Sequence, residues 1–134
     1  MRLLLDSHVW LWLCSTPERL PEAVQETLQP PSELWLSVAS MWEIAMKHAS
    51  GKLPYTGGMG ALFAEMGATG TRELPIRAEH ALHAAALPLR HRDPFDRMLV
   101  AQAAVEGMTL VTADELVRGY GGEVLWAGPS QVQT

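Results

Sequence analysis

With 134 residues, 48% of them hydrophobic and 19% charged, the chain has the length and apolar content of one compact domain over residues 1–134, too short for a second core of similar size. The formal net charge of −5 argues against gripping nucleic acid through broad phosphate neutralisation, which needs clustered Lys and Arg; acidity gathered in one metal site would be reversed locally by the bound cation. A single cysteine, Cys14, excludes an internal disulfide, and its apolar surroundings read as those of a buried, inert thiol.

In chain order, residues 2–6 form an apolar run ending in Asp6, and Ser7-His8 opens a stretch containing Trp10, Leu11, Trp12 and Leu13, a pattern that predicts a buried strand followed by a helix. Arg2 is the only basic residue in this region and Asp6 interrupts the apolar run early, so neither a signal peptide nor a membrane span fits, and the cytoplasm is the expected location. Pro21 suits the first turn of a helix over 21–29, which Pro30-Pro31 stops, and residues 34–37 predict a short strand. A helix over 39–50 follows, with Gly51 at its C-terminal cap and Glu43 near its start. Further helices are predicted over 59–68 and 78–87, the second ended by Pro88, with a strand over 73–76 between them. The clearest helix start is Asp93-Pro94-Phe95-Asp96, where Asp93 caps, Pro94 takes the first position and Asp96 stands three residues after the cap. That helix should reach Glu106 and end at Gly107, before a buried strand over 108–112, a short helix from Asp114 and a last strand over 123–126. Alternating elements of these lengths imply an α/β fold with a parallel sheet covered by helices on both faces, whose ligands gather at the carboxyl ends of the strands.

Four carboxylates attract attention, each against an ordinary alternative. Asp6 and Asp114 fall at or just beyond the ends of apolar strands, where two acids can meet, although each also suits the cap of the helix that follows. Glu43 has Lys47 at i+4 and is in that reading only a solvated helix acid, yet Trp42, Ile44, Ala45 and Met46 leave its helix little polar surface. Asp96 is more telling, because Leu99, Val100 and Ala103 place it over an apolar stripe that a bare carboxylate should avoid; its alternative is a first-turn acid favoured by the helix dipole.

Four acids at one sheet edge repel one another and raise their own pKa values unless a cation stabilises the ionised forms. Mg2+ or Mn2+ is the natural partner, as a hard ion that takes oxygen ligands and joins carboxylates to phosphate, and the chemistry that follows is phosphodiester hydrolysis. Zinc is less suited: His80 and His83 share a helix face, but no Cys pair or third histidine stands at a zinc spacing, so solvated or core histidines are the simpler reading. Neither a Gly-rich phosphate loop nor a Gly-x-Ser-x-Gly elbow is present.

As an ordered set, LLLDSHVWLW, SVASMWEIAMKHASGKL and HRDPFDRMLVAQAAVEGMTLVTAD resemble the PIN-domain family, and within it the VapC-like toxins of bacterial and archaeal type II toxin-antitoxin systems. The resemblance runs from residue 1 to about Trp126 and implies a three-layer α/β/α sandwich with a central parallel sheet. It maps the family's four acids onto Asp6, Glu43, Asp96 and Asp114 as catalytic and metal-binding residues, with Ser7 and Thr112 beside them as hydroxyls that orient a carboxylate or water. Asp93 either assists there or only caps its helix. The family further implies an endoribonuclease, dimeric, and inhibited by a small antitoxin over the acidic pocket. Lys47, Arg92 and Arg97, with Arg90 and Lys52, are candidates to guide RNA phosphates, or else ordinary surface charge. The five Trp and seven Met offer a partner surface, though core packing is the simpler account of most. Two other readings remain open, an RNA-processing nuclease without a toxic role and a catalytically inactive binding module, the second opposed by the presence of all four acids.

Overall fold

A computed structural model of the protein describes residues 1–53, 55–88 and 93–129. Five strands, β1 (Arg2–Leu5), β2 (Glu33–Ser37), β3 (Thr71–Leu74), β4 (Thr109–Thr112) and β5 (Val124–Trp126), form one sheet in the order β3-β2-β1-β4-β5, and all neighbouring pairs are parallel. The helices among the described residues are α1 (Ser7–Ser15), α2 (Glu22–Thr27), α3 (Val38–Ala49), α4 (Met59–Thr69), α5 (Ala78–Ala86), α6 (Pro94–Glu106) and α7 (Glu115–Arg118), with a 3-10 turn at Pro17–Arg19. None is long and apolar enough to cross a membrane.

Side chains alternate across a pleated strand, so a sheet covered on both faces needs apolar residues at successive positions. β1 meets that need with Leu3, Leu4 and Leu5, all fully buried. Leu3 and Leu5 join Leu34, Leu36 and Val111 in a core completed by Val9 and Trp10 of α1, Val24 of α2, Ile44 of α3 and Leu62 of α4. Leu4 points the other way, into a core with Leu74, Leu110, Leu99 and Ala103 of α6 and Val117 of α7. The sheet is thus the middle of three layers. Each buried Leu contributes about 1.5–3 kcal/mol, enough for three in a row to fix the level at which β1 ends and Asp6 begins.

The helix boundaries follow local chemistry. Asp93 accepts hydrogen bonds from Phe95 N at 2.9 Å and Asp96 N at 3.3 Å, and Gly107 closes the same helix with a left-handed φ of 67° that a side chain would resist. Ser37 caps α3 through Ala39 N, so this helix begins one residue earlier than the sequence pattern implies. The clearest departure is β3, which occupies Thr71–Leu74 rather than residues 73–76. Gly70, at φ 67°, turns the chain directly from α4 into the strand, and Pro75, which has no N–H to donate, ends the ladder after Leu74 pairs with Ser37.

Candidate active site

From β1 the chain steps outward on one side to β2 and β3, then returns across α5 and α6 to enter the sheet as β4 on the other side of β1. The order therefore reverses between β1 and β4, and in open parallel sheets the crevice beyond such a switch point is where ligands bind. Leu5 pairs with Val111, and Asp6 N donates to Val111 O at 2.9 Å, so the two strands end level with each other. Asp6 follows one strand and Asp114 stands two residues beyond the other. Together with His8 and Trp12 they line a cleft of about 380 Å³.

Asp6 is buried, with 5% of its surface exposed. Its Oδ1 accepts from Ser7 N at 2.7 Å and its Oδ2 from Thr112 Oγ at 2.7 Å. Ser7 Oγ donates in turn to Glu43 Oε1 at 2.6 Å, and Glu43 Oε2 meets Lys47 Nζ at 3.3 Å. Thr112 Oγ also accepts from Asp114 N at 3.0 Å, while Asp114 Oδ1 caps α7 through Leu116 N at 2.8 Å. Hydrogen bonds thus join Glu43, Asp6 and the Asp114 backbone through the hydroxyl and amide of Ser7 and the hydroxyl of Thr112. Burial raises the Asp6 carboxyl above its ordinary value; the Thr112 and Ser7 hydrogen bonds and His8 oppose that, and Glu43 adds to it.

Asp96 is likewise buried, in the first turn of α6 and on the helix face that carries fully buried Leu99. No three of the four acids have ligand atoms within 4.8 Å of one another among the described residues. Their oxygen-only donor set still suits a hard divalent cation, because Mg2+ keeps several waters and needs few direct protein ligands. A tighter group does exist, Glu79, His80 and Glu106, but its chemistry opposes a metal. His80 Nδ1 accepts from Arg77 N at 3.0 Å, so the ring proton lies on Nε2, which faces Glu106 Oε2 at 2.9 Å. A metal on Nε2 would move that proton to Nδ1, against an amide that can only donate. His80 is fully buried, the core reading of the sequence, while His83 is exposed. The Cys14 thiol is pushed up to about 12, by burial first and by Glu65 second, in keeping with an inert cysteine.

The other sequence candidates divide by their bonds. Asp93 is a helix cap. Lys47 forms the i+4 pair with Glu43 that the sequence allowed. The Arg97 guanidinium donates to Ala84 O at 2.8 Å, Leu87 O at 3.0 Å and Pro88 O at 2.9 Å, the carbonyls at and just beyond the end of α5. Arg90 and Arg92 lie outside the described residues. His8 and Trp12 were not among the candidates. Their i, i+4 spacing in the helix that Asp6 caps was the available signal, since it places both on one face beside the acid.

A model of the PIN domain matches residues 3–122. The chain belongs to the PIN-domain family. It is 30% identical over 119 residues to Ribonuclease VapC22 of Mycobacterium tuberculosis, covering 88% of this chain and 91% of that protein. Among solved structures, VapBC2 from Rickettsia felis bound to a promoter DNA fragment superposes with a TM-score of 0.73 at 12% identity, over 95% of this chain and 99% of that one. VapBC-1 from nontypeable Haemophilus influenzae gives 0.68 at 20%, over 94% and 98%. At these identities the two structures speak to the fold alone, which is the three-layer PIN fold described above.

Proposed function

We propose that this PIN-domain protein is an endoribonuclease, the toxin of a type II toxin-antitoxin pair, acting as a single domain in the cytoplasm with Mg2+ or Mn2+ held by Asp6, Glu43, Asp96 and Asp114. The observation that carries the reading is the buried Asp6 carboxylate at the switch point, whose local partners are neutral donors and which shares an open cleft with Asp114. The likeness to a ribonuclease supports RNA as the substrate, and the likeness to VapBC structures supports an antitoxin partner.

The divalent cation, when bound, neutralises charge on the attacked phosphate and acidifies a water molecule. The chain's own residues set the geometry. Thr112 and Ser7 N hold the Asp6 carboxylate in one orientation, and the Ser7 hydroxyl fixes Glu43. Asp96, buried in the first turn of α6 on the face that carries Leu99, would add a third helix's carboxylate to the metal in this reading.

The test is cleavage of total cellular RNA by purified protein freed of any partner, across a titration of Mg2+ and Mn2+. Wild type should cut and chelator should stop it, while Asp96→Asn should lose at least about 100-fold in rate with its circular dichroism unchanged. Equal cutting by Asp96→Asn, or cutting in chelator, would sink the metal mechanism. Growth arrest on induction, relieved by co-expression of a small adjacent gene, would separate a toxin from a processing nuclease.

A further inference from the structure

Trp12 stands at the junction of two hollows. It lines the acid cleft with Asp6 and Asp114, and it also lines a neighbouring groove of about 500 Å³ with Glu18, Arg19, Pro21, Gly128 and Pro129. Ala113, between the Thr112 and Asp114 of the site, is shared by both hollows, so they adjoin at the carboxyl edge of the sheet. The indole is only partly buried. Its neighbours there are the exposed Arg19 guanidinium, 4.7 Å above the ring centroid, and the exposed His8 ring at 6.3 Å. Arg19 forms no ion pair among the described residues, which leaves its charge available to a ligand.

Trp12 packs against the core on one side, and its exposed part, flanked by the Arg19 guanidinium, faces the hollows beside the carboxylate site. A chain with net charge −5 that acts on a polyanion needs local devices to hold it. Base stacking on an aromatic face is one, and an arginine that can stack on a base or bind its phosphate is another. We infer that Trp12 and Arg19 form the substrate-holding platform of the site, with an unpaired base next to the cut phosphate stacking on Trp12 and Arg19 taking the phosphate beyond it. This assignment rests on the ribonuclease reading for its ligand, and it requires that ligand to be single-stranded at this point, because bases inside a duplex have no free face.

The test uses a fluorescein-labelled ten-nucleotide oligouridylate, bound in Ca2+ and separately cut in Mn2+. Trp12→Ala should weaken binding about tenfold and raise KM similarly, and Trp12→Phe should restore most of it. Arg19→Ala should weaken binding by a smaller factor and lower the salt dependence by about one phosphate contact. Tryptophan quenching by the oligonucleotide should be lost in Trp12→Phe, a readout that a purely structural role would not move. Because Trp12 also borders the core, Trp12→Phe and Arg19→Ala decide the matter if Trp12→Ala fails to fold. Wild-type cutting with unmoved binding in both variants overturns the platform and leaves the nuclease reading standing. Binding that follows this pattern without any cutting supports the platform while removing the nuclease reading. Variants that bind the oligonucleotide normally but no longer bind the antitoxin assign the surface to a protein and also overturn the inference.

Discussion

Asp6 at the end of β1 and His80 at the start of α5 are both buried polar side chains, but their surroundings differ in kind. His80 is neutral, accepts from Arg77 N and Gln102 Nε2, and faces a Glu106 carboxylate that reaches the solvent edge. Gln102, itself fully buried, extends this network to Ser37 Oγ and Pro75 O, tying together β2, α5 and α6. The buried members of this network are uncharged donors and acceptors, and the charges of Glu106 and Glu79 sit at the rim. Around Asp6 the charge itself is interior, its hydrogen-bond partners are two neutral donors, and a cleft opens beside it. A matched buried network stabilises a structure, whereas a buried carboxylate held by neutral donors beside an open cleft is the pattern of a functional site.

Substitutions in the two regions should therefore have opposite signatures. Asp6→Asn should abolish cutting, by more than about 100-fold, and raise the unfolding free energy by on the order of 1 kcal/mol, since it removes a buried charge while an amide can still accept from Ser7 N. Gln102→Ala should do the reverse, lowering stability by about 2–4 kcal/mol through a cavity and the stranded Ser37 hydroxyl, with the folded fraction still cutting RNA. Paired urea unfolding and cleavage rates check both, and a Gln102→Ala protein that is stable yet inactive would place His80's network in the active site.

A smaller effect is expected at Thr112, which serves both acids as donor to Asp6 and acceptor from Asp114 N. Thr112→Val keeps the shape and removes the hydroxyl, so activity should fall about tenfold and the metal concentration for half-maximal rate should rise. An unchanged metal requirement would show that the carboxylate is oriented by the backbone alone.

The smallest contrast is in pH. The Glu106 carboxyl is lowered chiefly by its hydrogen bond from His80, so its stabilising contribution is fully present above pH 4.5 and is lost as pH falls through the lower folded value. Asp6 is raised by burial, so its contribution has the other sign: stability is gained as pH falls through the raised folded value toward 3.8. Urea midpoints against pH should thus show a gentler acid loss in Glu106→Gln than in wild type, and a steeper one in Asp6→Asn. Parallel profiles for all three proteins would break the contrast.

Much of this site was legible in the chain because its parts are local. Leu-Leu-Leu-Asp names a doubly buried strand and the acid at its end, Asp93-Pro94 names a helix start, and Asp96 over Leu99 and Ala103 names a carboxylate on an apolar face. What the chain order hid were contacts between residues far apart in sequence. Thr112 meets Asp6 across 106 positions and Ser7 meets Glu43 across 36, so whether Asp6 merely caps α1 or also anchors a site depends on β1 and β4 ending level. Arg97 shows the same limit, since its bonds to the carbonyls at the end of α5 join residues ten and thirteen positions apart that no helical wheel relates. Periodicity and caps are fixed by neighbours within a turn or two, and these the sequence determined by itself. Which buried groups share a hydroxyl or a cleft depends on strand order and register, and only the packed sheet decided that.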